Sequence, residues 1–200
     1  MMRIRDVEGL APRVNFKLIA RERGKLSLAN CREGHNVFTN VGADWLASLV
    51  AWAVIGGGPD VPYTNRRPRW IGLGTGSQTE VPGVTGLVTP ALVTPSSYLG
   101  AIQDVQRPTS NSTLFIREFG TGELSIGVGQ SVPITEAGLF ADVYPVSTGG
   151  GQDDSVVGAA DTTLDPTTGV NPPVAYHTFP VVTKTADFSF RIEWTFTFGV

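Results

Sequence analysis

From Asp187 to Phe198 the large apolar side chains Phe188, Phe190, Ile192, Trp194, Phe196 and Phe198 fall on one parity, and Ser189, Arg191, Glu193, Thr195 and Thr197 on the other. Side chains alternate across a strand, so the pattern predicts a long β-strand with one apolar and one polar face. At about 3.3 Å per residue such a strand runs roughly 35 Å, well above the usual length of ~5–6 residues. A continuous apolar row of this kind needs a second layer over it. Phe188, Phe190, Ile192, Trp194 and Phe196 are therefore candidate core residues, and the strand is expected to be the spine of an antiparallel sheet.

Shorter alternations precede it. Val14, Phe16 and Leu18, the turn signal Arg23-Gly24, and then Leu26 and Leu28 predict a hairpin over 14–32. Residues 113–119 and 123–128 predict a second hairpin across Gly120-Thr-Gly122. Residues 134–140 predict a strand ending at the core candidate Phe140, with Gly138 marking a bulge or a close backbone approach. Residues 175–179 and 181–184 lead into the spine. Only about 41–54 has helical spacing: Thr39-Asn40 offers a cap, and Trp45, Leu49 and Trp52 form an apolar stripe expected to cover the sheet. Gly56-Gly57-Gly58-Pro59 would end that helix.

Two long stretches, 77–99 and 145–173, have no sustained period. The first is too apolar for a solvated linker. It is expected to be an arm lying on another subunit, with Leu87, Val88, Leu92 and Val93 as candidate interface residues. The sum is a mainly β chain, an antiparallel β-sandwich with one packed α-helix and long extended loops. It is read as an arm over 1–13 followed by a single domain over 14–200.

Composition agrees. The 24 glycines and 14 prolines make up 19% of the 200 residues, against about 12% in average usage, which suits turns and loops. One cysteine, Cys31, excludes an intrachain disulfide and is read as a small buried side chain. No apolar run reaches 18 residues and the first residues lack a signal-peptide core, so neither a membrane span nor a membrane partner is expected. The net charge of −3 hides an asymmetry. Residues 1–32 hold eight basic and three acidic groups, net +5, and the other 168 residues seven basic and fifteen acidic, net −8. A basic end can be a nucleic-acid arm, a solvated hairpin, or one of two complementary faces in a head-to-tail assembly. Arg3, Arg5 and Arg13 are the candidate contact residues there, and a nucleic-acid partner is possible but not favoured.

The residues capable of chemistry do not form a recognisable set. His35 and His177 have no metal-ligand spacing, and no Gly-x-Ser-x-Gly elbow is present. Gly72, Gly74 and Gly76 follow a strand but lack both the Gly-x-Gly-x-x-Gly order and the helix that would offer its N-terminus to a phosphate. Arg66, Arg67 and Arg69 beside Trp70 could hold a phosphate or stack on bases, but three arginines in one loop are more often solvated or paired. Trp70 is the one tryptophan expected to be exposed. Asp153, Asp154, Asp161 and Asp165 lack the order of a calcium loop. The sequence nominates no catalytic, cofactor-binding or metal-binding residues and no cofactor, and the expectation is that the chain is not an enzyme.

Three segments together resemble structural proteins of tailed-bacteriophage particles. They are His35-Asn-Val-Phe-Thr-Asn-Val-Gly-Ala-Asp-Trp-Leu46, Ile134-Thr-Glu-Ala-Gly-Leu-Phe140 and Ala175-Tyr-His-Thr-Phe-Pro-Val-Val-Thr-Lys184 running into the terminal strand. The match covers about 40 residues. The resemblance implies a virion subunit made in the host cytoplasm, placed in the tail, baseplate or neck, with copies of itself and other virion proteins as partners. Alternatives are a capsid decoration protein and a receptor- or glycan-binding tail module. The basic N-terminal hairpin and residues 77–99 lie outside it, and it carries over no catalytic residues.

Overall fold

The structure, a computed structural model, describes residues 12–40, 42–43, 46, 68–94, 97–124, 130–141 and 173–199. Within them the strands are β1 (Arg13–Glu22), β2 (Lys25–Leu26), β3 (Arg32–His35), β4 (Val37–Phe38), β5 (Pro68–Gly74), β6 (Leu99–Ala101), β7 (Asp104–Gln106), β8 (Ser112–Phe119), β9 (Ser131–Ala141), β10 (Ala175–Thr185) and β11 (Phe188–Thr197). They form two antiparallel sheets packed as a β-sandwich. The first runs β2-β1-β11-β8-β7, with β3 also on β1, and the second runs β4-β10-β9-β5-β6.

The predicted spine, β11, is central in the first sheet. It pairs with β1 over ten residues, from Arg13 opposite Thr197 to Glu22 opposite Phe188. Residues directly opposite share a face, so the register puts Val14 with Phe196, Phe16 with Trp194, Leu18 with Ile192 and Ala20 with Phe190. All eight are buried in the main core between the sheets, and Phe188 packs half-buried at its margin. The other parity carries Lys17 opposite Glu193 and Asn15 opposite Thr195 towards solvent. Trp194 stands edge-on to Phe16, with ring centroids 5.2 Å apart, a favoured aromatic geometry.

The hairpin after β1 turns on Arg23 (φ 47°) and Gly24 (φ 81°), both left-handed as a two-residue type I′ turn requires. Its return is not the continuous strand predicted. A 3₁₀ turn, Leu28–Asn30, divides it into β2 and β3, and Leu26 and Leu28 stay exposed.

The chain crosses between sheets at both edges. Residues 35–37 carry it from β3 to β4, and 101–104 from β6 to β7. Of the strand expected at 123–128, residues 125–128 lie outside the described residues; among those described, β8 pairs with β11 and β7. Leu124 adopts φ 71°, buries its side chain, and donates its N–H to Val93 O at 2.9 Å. The helix predicted over 41–54 is visible at its start, where Gly42 N–H donates to Thr39 Oγ1 (3.0 Å) and Ala43 N–H to Thr39 O (2.9 Å). Thr39 is thus the cap. Trp45, Leu49 and Trp52 lie outside the described residues, as do 145–172.

The arm expected at 77–99 is the largest correction. Leu87 and Val93 are buried in their own chain, together with Val84 and Ala91. Val84 and Leu87 pack with Trp70, Leu99, Phe140 and Tyr176 into a second core. Tyr176, opposite Gly138 and Gly72, and Phe140, opposite Trp70, place this core on the face of the second sheet turned away from the main core. The part of the segment with Val84 and Leu87 is a third layer of the same molecule, while Ala91 and Val93 join the main core. Of the four apolar residues proposed for an interface, Val88 alone is exposed and Leu92 is half-buried.

Lys184 on β10 is wholly buried. Its ammonium donates to Thr121 O (3.2 Å) and Thr185 O (3.1 Å) and lies 5.9 Å from the Phe190 ring centroid. Burial pushes its pKa down to about 8, with the Glu123 carboxylate opposing. The unfolded chain then binds one more proton than the folded chain between pH 8 and 10.5, so this group makes stability rise with pH over that window. Lys184→Met should abolish that rise and leave the protein at pH 7 as stable or up to about 3 kcal/mol more stable in urea unfolding. A slope that survives in the variant would belong to another group.

Candidate functional site

The buried ionisable groups collect where residues 75–94 lie on the second sheet. Glu136, on β9, is completely buried. Its carboxylate accepts hydrogen bonds from Gly76 N–H (3.2 Å), Val88 N–H (3.1 Å), Thr89 N–H (3.0 Å) and the Tyr176 hydroxyl (2.8 Å). A buried carboxylate is tolerable only when it is satisfied, and these four donors satisfy it. Glu136 also stands opposite Gly74 on β5 and Thr178 on β10. A Cβ at Gly74 would come within 2.4 Å of Glu136 Oε1, and one at Gly76 within 2.4 Å of Val88 Cβ. The Gly-x-Gly-x-Gly run is thus the space into which the carboxylate and the returning chain fit. Thr75 N–H to Thr89 O and Ala91 N–H to Leu73 O, both 2.8 Å, continue the pairing of β5 past the end of β6. Burial and the Glu136 carboxylate push the Tyr176 phenol well above its ordinary pKa, so it stays a donor.

A second carboxylate closes the margin of β10. The register of β10 shifts between Thr178 and Val182, and β4 pairs with it only at Ala175 and Tyr176. Backbone groups beyond Tyr176 therefore need other partners. Glu80 Oε1 accepts from Thr178 N–H (2.6 Å) and Thr178 Oγ1 (2.9 Å). From β3, Arg32 donates through Nε to Pro180 O (3.1 Å) and through an Nη to Val181 O (3.0 Å), and its other Nη to Ala29 O and Cys31 O, both 2.8 Å. Side chains thus stand where a neighbouring strand would otherwise pair, one of the ways a sheet edge is protected.

His177 lies beneath this margin, its ring 5.0 Å from Phe16 and above Gly34, where a Cβ would meet Nε2 at 2.6 Å. Its Nδ1 is 2.9 Å from Glu80 Oε1. Burial lowers the His177 pKa, outweighing the raising effect of Glu80, while His35 lowers it further. Arg117 and Glu123 form another ion pair near Gly100 at the opposite margin, and Gly120 N–H donates to Glu123 at 2.6 Å.

In chemical terms these groups fasten one layer to another. Glu136 and Tyr176 are closed off from solvent and bonded to each other, and Glu80 is committed to β10. Among the described residues no group of three or more His, Cys, Asp or Glu side chains is arranged to hold a metal ion, and no helix is long and apolar enough to cross a membrane. Of the residues nominated from sequence, Arg13 is exposed opposite Thr197, while Arg3 and Arg5 lie outside the described residues. Trp70, expected to be exposed, is buried in the second core. Cys31 is half-buried with Sγ 3.3 Å from Ser27 O. Glu136, Glu80 and Arg32 were not singled out from sequence, and the one available signal was the glycine triplet, whose spacing calls for close backbone approach.

Glu136→Gln replaces one acceptor with a donor facing backbone N–H groups. It should cost about 2–4 kcal/mol and make residues 77–94 markedly more sensitive to limited proteolysis. For His177, the folded pKa lies below the unfolded value near 6.5, so its contribution is complete above that pH and is lost as pH falls through it. Wild-type stability should drop by up to about 1.4 kcal/mol per pH unit from this group, a slope that His177→Gln should flatten in denaturant titrations from pH 7 to 5.

Comparison of the chain with models of protein families, with curated proteins and with solved structures finds no match.

Proposed function

We propose that the chain is a non-enzymatic structural subunit of a tailed-phage virion, placed in the tail, baseplate or neck. The observation that carries the reading is the meeting of three sequence segments. Those that resemble phage structural proteins are separated by about 90 and 35 residues along the chain, yet they pack as one unit around β10. Val37 and Phe38 pair with Tyr176 and Ala175. Thr39 N–H donates to Val174 O at 3.1 Å, and its hydroxyl contacts Pro173 O. Glu136 receives the Tyr176 hydroxyl, and Leu139 lies opposite Ala175. The meeting of the three segments around one strand supports reading them as one signature, shared with proteins that carry all three.

The buried ionisable groups support the same role, because their bonds hold layers together. The glycan-binding alternative loses its one nominated aromatic, since Trp70 is buried.

The test is addition of the purified protein to particles that lack it, followed by electron microscopy and by light scattering of the protein alone. The expected result is specific attachment to the particle, with self-association at high concentration. Isolated monomers at high concentration, together with no attachment, would remove the reading.

A further inference from the structure

Residues 77–83 form a strap at the outer margin of β10 that buries no side chain, and Val84 is the first to enter the second core. Polar contacts hold the strap. Glu80 Oε1 accepts from Thr178 N–H (2.6 Å) and Thr178 Oγ1 (2.9 Å), and Pro82 O accepts from Asn40 N–H (2.8 Å). Gln78 donates to Gly86 O (2.7 Å) and also bonds the Tyr176 hydroxyl. A segment fastened this way opens at a lower free energy than one that buries apolar area. Residues 88 and 89 are held differently, by the sealed Glu136 carboxylate to which both backbone N–H groups donate. The Glu80 side chain, by contrast, is 27% exposed.

The marginal fastening includes a titratable ring. His177 Nδ1 lies 2.9 Å from the same Glu80 oxygen. A facing carboxylate favours the tautomer with its proton on Nδ1, so acid adds the second proton at Nε2. That nitrogen stands over Gly34, where a Cβ would meet it at 2.6 Å, and the ring lies against Phe16 (5.0 Å) and Phe179 (6.0 Å). Among the described residues, the charged or titratable groups acting on the ring are Glu80 from the strap and His35 from β3. β1 and β9 present Phe16 and Ala137 to it. Burial outweighs the attraction of Glu80, and His35 opposes charge further, so charging the ring where it lies is unfavourable. The strap covers the Nδ1 side of the ring and β3 the Nε2 side. β3 is paired to β1 over four residues, from Arg32 to His35, so the strap is the element that yields.

We propose that Glu80 and His177 form an acid-operated latch, in which charging of the ring lifts residues 77–83 off β10 while the Glu136 bonds keep Val88 and Thr89 seated. The opening uncovers Thr178 N–H on the outer edge of β10, which β4 pairs only at Ala175 and Tyr176. An open edge of that kind can accept another strand, so the latch controls access to it. The device goes beyond the virion role and does not rest on it.

Amide exchange resolved by residue, expressed as protection factors that remove the intrinsic effect of pH, tests the latch. In wild type, Thr178 protection should fall as pH drops below about 6.5, by up to about tenfold per unit, while Thr89 keeps its protection. Glu80→Ala should leave Thr178 poorly protected already at pH 7 and Thr89 unchanged. His177→Gln should hold Thr178 protection level from pH 7 to 5. If that variant misfolds, the wild-type ring is titrated by NMR instead. Thr178 protection should then level off at the pH where the ring charges, and a fall that runs on below it overturns the latch. So does a wild-type Thr178 indifferent to pH, a loss of protection at Thr178 and Thr89 together, or a fall that persists in His177→Gln.

Discussion

The second sheet is apolar on both faces, and the rest of the molecule is arranged around that constraint. Leu139, Ile71 and Ala175 belong to the main core, while Phe140, Trp70 and Tyr176 belong to the second core on the other side. A sheet of this kind cannot leave one face in water, so the chain must supply a third layer. The stretch carrying Val84 and Leu87 does so, and Glu136 determines how it lies. Its carboxylate gathers N–H groups from Gly76, Val88 and Thr89, donors that would otherwise be buried against an apolar surface without acceptors.

Electrostatics in this protein act mainly as fastening. Glu136 holds the third layer to β9, Glu80 holds it to β10, and Arg32 ties the first sheet to the β10 bulge. Lys184 reaches across to the turn after β8. Each joins segments distant in sequence, and each replaces water at a buried or edge position where an unpaired polar group would be costly.

Period-two alternation made β1 and β11 legible in the sequence, because each has one face buried over most of its length. The inward rows of Phe190, Ile192, Trp194 and Phe196 and of Val14, Phe16 and Leu18 could be read residue by residue. The sandwich followed from these, and the Thr39 cap from local chemistry. The segment over 77–99 was misread because a layer packed on its own sheet and an arm packed on a neighbour have the same apolar, proline-rich composition.

The candidate site was hardly legible at all. A glutamate between threonine and alanine looks like any solvent-facing strand residue, and Gly72-x-Gly74-x-Gly76 looks like a turn. What makes them a unit is the register of β5, β9 and β10, which sets Gly74, Glu136 and Thr178 in one row. By itself the sequence determined the strand faces and therefore the class of fold, because side-chain alternation is a local property of the extended backbone. Only the tertiary structure decided where the long segment packs and what the buried charges hold, because those outcomes depend on desolvation and on donors brought together from distant parts of the chain.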